Sequence, residues 1–427
     1  MTTQPRLDRD LSEILGDLAM APYPDYVEHV LATTAQRRQR PAWMFPERWL
    51  PMDLTTQQVR APGVPWRALG ALLLIALLVA TAVAVYVGAQ RQLPEPFGPA
   101  ANGLVAFADD GDVFTVDPTT GDARAIVTGS ELDSDPVFSP DGTAVAFTRT
   151  VAGGGRQIYI VGAGGGAARL VTPAPLAAVS RYQFSPDGKQ IAIASMEPGL
   201  RSVISIAETD GSGLRTLDID GWVRDPAFRP SGGHEIAFVG SDPSGGEGIF
   251  AYDLRDGTIR TIVEPVPGFE VSSGPSYSPD GSRVAYSWWG SADGINARLY
   301  VMDADGTGVG QLVEAPTSAN FCCEGASVTW SNDGTHLAYI RSYDSGERLA
   351  IGPWGSDGTT IEVPVPGDGL ASVMWSPDDR LLLVTPIDDA TRSGLPQILI
   401  DAETGAPIPI DWTTTSPPAW QRVAPTD

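Results

Sequence analysis

Few residues in this 427-residue chain are equipped for catalysis or metal binding, and their placement restricts what they could do. The histidines are His29, His234 and His336, and the two cysteines, Cys322 and Cys323, are adjacent. That arrangement offers neither a disulfide framework nor a CxxC metal clip. In an oxidising compartment the pair closes a strained vicinal disulfide or stays as two separate thiols, and no third cysteine exists for a thiol relay. Hydrolase or lyase chemistry would need acids such as Asp135, Asp225 and Glu270 to converge. Trp288 and Trp289 form either an exposed platform for stacking a sugar or peptide, or a pair with one ring in the interior. DADG at Asp303–Gly306 and ADDGD at Ala108–Asp112 resemble pieces of calcium loops, but neither completes the ligand pattern with its glutamate. No metal and no cofactor are implied.

The charge balance narrows the partners. Net charge is −24, and residues 92–427 hold 19 basic against 44 acidic residues, so a nucleic-acid backbone would be repelled. Ala68–Gly88 is a 21-residue run without a charge, enough at 1.5 Å per residue to cross a hydrocarbon core of roughly 30 Å. Trp66 and Tyr86 sit near its ends. Arg37, Arg38, Arg40, Arg48, Arg60 and Arg67 precede it and only Arg91 follows closely, which places the N-terminus in the cytoplasm and the acidic remainder outside. The expected layout is a cytoplasmic segment (1–66), a transmembrane helix (67–89), a linker (90–102) and an extracytoplasmic domain (103–423).

That domain is a repeat array. FSPDG ends at Gly142 and again at Gly188, followed by FRPSG at Phe228–Gly232, YSPDG at Tyr277–Gly281, WSNDG at Trp330–Gly334 and WSPDD at Trp375–Asp379; a seventh aromatic, Trp420, stands alone. Successive aromatics are 46, 44, 49, 53, 45 and 45 residues apart. After each SPDG turn come an alternating strand, a loop, a second strand, a Gly-containing turn and a third strand, so each unit has four strands with the one carrying the aromatic. GLVAFADD and DVFTVD at the start lack an aromatic strand, and PPAWQRVA at the end is that strand alone. Joined, they complete a blade. Six full units plus this split one predict an all-β, seven-bladed propeller whose ring hides its strand edges.

The SPDG, IAF and YVMD phrases resemble the repeats of TolB-type propellers, periplasmic relatives of the tryptophan-aspartate repeat family, over residues 103–423. TolB itself is six-bladed with an additional α/β domain, so its partnership with peptidoglycan-associated lipoprotein does not transfer to seven units without that domain. Similar propellers precede the hydrolase domain of prolyl oligopeptidases, yet no GxSxG is present.

The short SPDG and DG turns fall on one rim of such a ring, and irregular segments fall on the other: 130–135, 150–157, 218–225, 267–274, 288–297, 318–327 and 387–396. A rigid scaffold with variable loops places ligand contacts on that second rim. The candidates there are Asp135, Arg181, Arg224, Trp288, Trp289 and Tyr343. The repeated aromatics are assigned to the blade core, and the SPDG aspartates to turn chemistry.

In the cytoplasmic segment Leu7, Leu11, Ile14, Leu15 and Leu18 have helical spacing, a second helix is expected from Asp25 to about Gln39, and Pro41–Met52 carries Trp43, Phe45 and Trp49 between prolines. Leu11, Ile14, Leu15, Trp43, Phe45 and Trp49 are the candidate contacts for a cytoplasmic partner. Helical segment, single span and exported domain resemble the layout of bacterial transmembrane anti-sigma factors, of a zinc-free type because no His-x3-Cys-x2-Cys is present. The leading expectation is a non-enzymatic surface module that binds a protein, peptide or glycan. The alternatives are a regulator holding a sigma factor, and a hydrolase or lyase acting on the loop rim.

Overall fold

The computed structural model describes Leu74 and residues 98–424, with interruptions at 198–200, 242–245, 291–294, 309–310, 314–327, 344–345, 356–358, 368, 389–392, 411, 413 and 415. The expected span apart from Leu74, the cytoplasmic candidates and the Cys322–Cys323 pair lie outside the described residues. Among those described, no helix is long and apolar enough to cross a membrane.

Seven antiparallel sheets form the ring. Blade 1 is the split one: the C-terminal strand Ala419–Val423 pairs with Ala101–Asp109, followed outward by Asp112–Val116 and Ala123–Val127. Blades 2 to 7 start from the innermost strands Leu132–Phe138, Ala178–Phe184, Val223–Phe228, Phe269–Tyr277, Thr329–Trp330 and Gly369–Trp375. Blade 7 carries a further short strand, Ser393–Gly394, against Leu381–Asp388. Several segments expected as irregular loops are instead the bulged ends of innermost strands. Ladder shifts between Ser134 and Val137, Arg224 and Ala227, and Ser273 and Ser276 break the two-residue alternation that marks a strand in sequence.

Each strand turns one face toward the blade before it and the other toward the blade after it, so the core divides into seven clusters, one per blade interface. All seven repeated aromatics, from Phe138 to Trp420, are buried. The seam between blades 7 and 1 is built like the rest, from Val105, Phe107, Val116, Leu383, Leu399, Trp412 and Trp420. Full burial of one such side chain is worth about 2 kcal/mol, so the closing seam is held by the same force as any other interface. Polar side chains stitch neighbouring inner strands together. The Trp330 indole donates to Ser276 O at 3.0 Å and the Trp375 indole to Thr329 O at 3.3 Å, each reaching back one blade.

Four turns of the SPDG rim are wired alike. Ser139, Ser185, Ser278 and Ser331 each donate from Oγ to the aspartate two residues on, at 2.5–2.7 Å. The same Oγ accepts the N–H of the residue that opens the next strand, at 2.9–3.0 Å. Partial burial pushes the carboxyls of Asp141, Asp187, Asp280 and Asp333 up, but the serine hydroxyl and the N–H two residues beyond outweigh it and hold all four below the usual carboxylate range. These aspartates are spent on the turns.

Candidate functional site

Every sheet ends on an innermost strand whose outer edge is left without a strand partner, and these edges face one another around the axis. Between them lies a cavity of about 660 Å³, lined by residues from all seven blades, from Asp135 in blade 2 round to Pro417 and Pro418 beside blade 1. Its polar wall is concentrated on blades 2, 3 and 4. Among the described residues that line it, Asp135, Arg156, Arg181, Arg224 and Asp225 are the charged ones, three arginines against two aspartates in a strongly acidic domain.

Two Asp–Pro bulges aim this wall. Asp135 and Asp225 take φ of 54° and 51°, the left-handed region that aspartate tolerates better than most side chains. Each is followed by a proline, Pro136 and Pro226, and the repeated aromatic comes two residues after that. The Asp135 carboxylate receives Ser134 Oγ at 2.8 Å, Thr148 Oγ1 at 2.9 Å and Arg156 Nη1 at 3.0 Å. From blade 3 the Tyr182 hydroxyl reaches back to the main-chain oxygen of Asp135. Burial, with the Asp135 charge behind it, pushes the Tyr182 phenol well above its ordinary pKa, so it remains a donor.

Blade 4 repeats the device with different wiring. Arg224 Nη1 lies 2.5 Å from Asp225 Oδ2, and Arg224 Nη2 is shared between Glu247 Oε2 at 3.3 Å and the Val271 carbonyl of blade 5. Glu247 in turn accepts Val271 N–H at 2.9 Å. At the matching position of blade 5 stands Gly274, where an added Cβ would overlap Asp225. Arg181 completes the wall. Its side chain is 53 % exposed and its nearest acid is Asp225 Oδ1 at 3.8 Å, beyond hydrogen-bond reach.

Of the six sequence candidates, Asp135, Arg181 and Arg224 come together on this wall. Trp288 is half-buried, packing on the core between blades 4 and 5 and edge-on to Tyr300. Trp289 pairs through its backbone with Glu270, and its side chain lies outside the described residues. Tyr343 stands apart on blade 6, donating to Glu362 at 2.7 Å beneath Arg348. Glu270 is exposed and is not part of the cavity wall. Arg156 and the partners Thr148 and Glu247 were not legible in the sequence. The signal that was available is the Asp–Pro dipeptide ahead of the aromatic in two of the seven units. Among the described residues, no three His, Cys, Asp or Glu side chains gather as a metal would require.

A seven-bladed ring of SPDG-turned, four-stranded sheets with a polar mouth at one end of its channel defines a β-propeller. The sequence profile of the TolB beta propeller domain matches residues 183–424, and the chain belongs to that family. It is 26 % identical to the uncharacterized protein Atu1656 of Agrobacterium fabrum over 49 % of this chain and 70 % of that one. With the Tol-Pal system protein TolB of Anaeromyxobacter dehalogenans it shares 34 % identity, over 28 % of this chain and 29 % of the relative. Among solved structures, puromycin hydrolase superposes with a TM-score of 0.54 at 15 % identity, over 76 % of this chain and 56 % of that one. An oligogalacturonate lyase in complex with manganese gives 0.52 at 14 %, over 73 % and 84 %. These superpositions establish the fold.

Proposed function

We propose that the chain is a single-pass membrane protein that holds its propeller outside the cytoplasm as a binding and sensing module, with the cavity at the loop-rim end of the channel as the site. The cavity carries this reading. Its 660 Å³ lies within the range of sites that enclose a small ligand or the end of a polypeptide, and its polar groups stand on rigid innermost strands. Binding is favoured over acid–base catalysis because both aspartates on the wall are engaged by arginines, and Glu270 does not join them. Anchoring rests on the uncharged run Ala68–Gly88 and on the arginine excess before it. Residues 1–66 are proposed to contact a cytoplasmic protein, a sigma factor in the regulator reading, because the Leu11/Ile14/Leu15 stripe needs a partner to cover it.

The test is site-specific photocrosslinking in intact cells. Benzoylphenylalanine at Ser180, an exposed residue of the cavity wall, is compared with the same group at Asp256 in the exposed outer turn of blade 4. Adducts at 180 that are missing at 256 are the expected result. A bare Ser180 position in cells grown under several conditions would overturn the assignment of the mouth. A membrane-impermeant maleimide applied to a single cysteine placed at Thr119, in a C322S/C323S background, checks the topology. Labelling in intact cells is expected, and labelling only after lysis would overturn it.

A further inference from the structure

Among the described residues of the cavity wall, Arg181 is the arginine held most loosely. Asp135 takes three donors on Oδ2, Arg156 among them, and Asp225 Oδ2 is held at 2.5 Å by Arg224. Arg224 is itself tied to Glu247 and Val271, and its side chain is only 25 % exposed. Arg181 is left at 3.8 Å from an aspartate that another guanidinium occupies, with half of its surface open to the cavity. A guanidinium presents a planar fork of donors matched to a carboxylate, and such paired, charge-assisted bonds are the strong ones.

Apolar side chains surround the same sector. Among the described residues of the propeller, the exposed large hydrophobic ones are Leu132, Leu170, Met196, Trp222 and Ile259. Leu170 and Ile259 belong to outer strands, whereas Leu132, Met196 and Trp222 stand at the loop-rim ends of blades 2, 3 and 4, the blades that carry the arginines. Two of the three are aliphatic. The third, Trp222, has the Arg224 guanidinium 5.3 Å from its ring centroid, which leaves less of its face for a sugar to stack on. Aliphatic contacts beside a half-exposed, loosely paired guanidinium suit a polypeptide with alternating acidic and apolar side chains better than they suit a glycan.

We infer that the mouth over blades 2 to 4 recognises an acidic polypeptide segment, with one of its carboxylates on Arg181 and its apolar side chains on Leu132, Met196 and Trp222. This rests on the reading of the mouth as the binding site and names what it selects. The net-acidic domain as a whole disfavours such a segment, which makes the arginines of this sector a selection device as well as a contact.

The test uses the full chain in detergent and fluorescence anisotropy with a labelled nonapeptide of alternating Glu and Leu. Its Gln/Leu analogue and a galacturonate trimer serve as rivals. The Glu/Leu peptide is expected to bind at least tenfold more tightly than the Gln/Leu peptide and to weaken as salt rises. Arg181→Gln is expected to remove that preference, while Arg215→Gln, on an exposed outer strand of the same blade, leaves it intact. Arg181 makes no hydrogen bond among the described residues, so the variant keeps its fold, and an unchanged circular dichroism melt verifies this. Equal binding of the two peptides, an unaffected Arg181→Gln protein, or tighter binding of the trimer than of the Glu/Leu peptide would each overturn the inference. Crosslinks at Ser180 without a preference for Glu would defeat this inference and leave the mouth standing as a site; loss of both would remove the two together.

Discussion

The two rims of the ring are made from the same strands and hold themselves together in opposite ways. On the SPDG rim the turns of blades 2, 3, 5 and 6 satisfy themselves: a serine, an aspartate and a glycine within four residues close their own hydrogen bonds. On the loop rim bonds within a blade are joined by bonds between residues about one repeat apart, such as Tyr182 with Asp135 and Arg224 with Val271. Local closure gives a robust scaffold. Long-range closure gives a surface in which each side chain depends on its neighbours, so single changes there should cost more and spread further.

The largest expected effect is on the loop rim. Arg149 holds Asp133 through two bonds of 2.7 Å, and Asp133 is 3 % exposed. Arg149→Ala strands a buried carboxylate and should lower stability by about 3 kcal/mol, read from the midpoint of urea unfolding. A loss below about 1 kcal/mol would mean that solvent reaches the pair. Next, Gly274→Ala pushes a methyl group into Asp225, and overpacking of this kind costs about 2 kcal/mol. It should also disturb the cavity wall, so peptide binding and stability should fall together; stability loss alone would separate the wall from the scaffold beneath it.

On the SPDG rim the counterpart is Ser331→Ala, which removes one donor and one acceptor from a single turn. A loss of about 1 kcal/mol confined to that turn is expected, checked by hydrogen exchange of the His336 amide against that of Gln190 in an intact turn. The same rim sets the acid response. The SPDG aspartates are held below their unfolded pKa, so the stability they supply is fully present above the unfolded value near 4 and is lost as pH falls through the lower folded value. The unfolding midpoint should therefore fall below about pH 4, and by less in Ser331→Ala. A slope identical in both proteins would show that other carboxylates dominate.

The smallest effect tests an exception on the SPDG rim. WSNDG and WSPDD depart from the repeat at Asn332 and Asp379, and the two departures meet. Asp379 takes the glycine's left-handed conformation, φ 62°, and accepts from Asn332 N at 2.6 Å, Asn332 Nδ2 at 2.8 Å and Asp333 N at 2.8 Å. Asn332→Pro and Asp379→Gly should each destabilise by a few tenths of a kcal/mol or more, and the double variant by about 0.5 kcal/mol less than their sum. Strict additivity would mean that the contact contributes nothing.

How much of this was legible follows the same division. Seven blades and the split seam were readable because the turn phrase repeats at a nearly fixed interval and the two incomplete ends complement each other. Asp135 and Arg224 were readable as loop-rim charges, but their partners were not. A repeat of about 47 residues says that Tyr182 stands near Asp135, not that its hydroxyl reaches that carbonyl. Bulges hid the strand character of Val223–Asp225 and Phe269–Gly274 because one extra residue reverses the alternation on which strand reading depends. Arg156 escaped notice because it opens a middle strand, and only the fold brings it across to blade 2's own Asp135.

The split blade also fixes an order of events. Leu104 N donates to Gln421 Oε1 across 317 residues, and strand Ala101–Asp109 waits for Ala419–Val423 until all the intervening blades have been synthesised. Throughout translation the growing ring is an open arc with an unpaired strand at its leading end, the state in which such edges attract other chains. Completion is thus coupled to length: a chain cut short of Trp420 loses the seam as well as its last strand, and exposes at once the apolar faces of blades 1 and 7 that Trp420 would have joined.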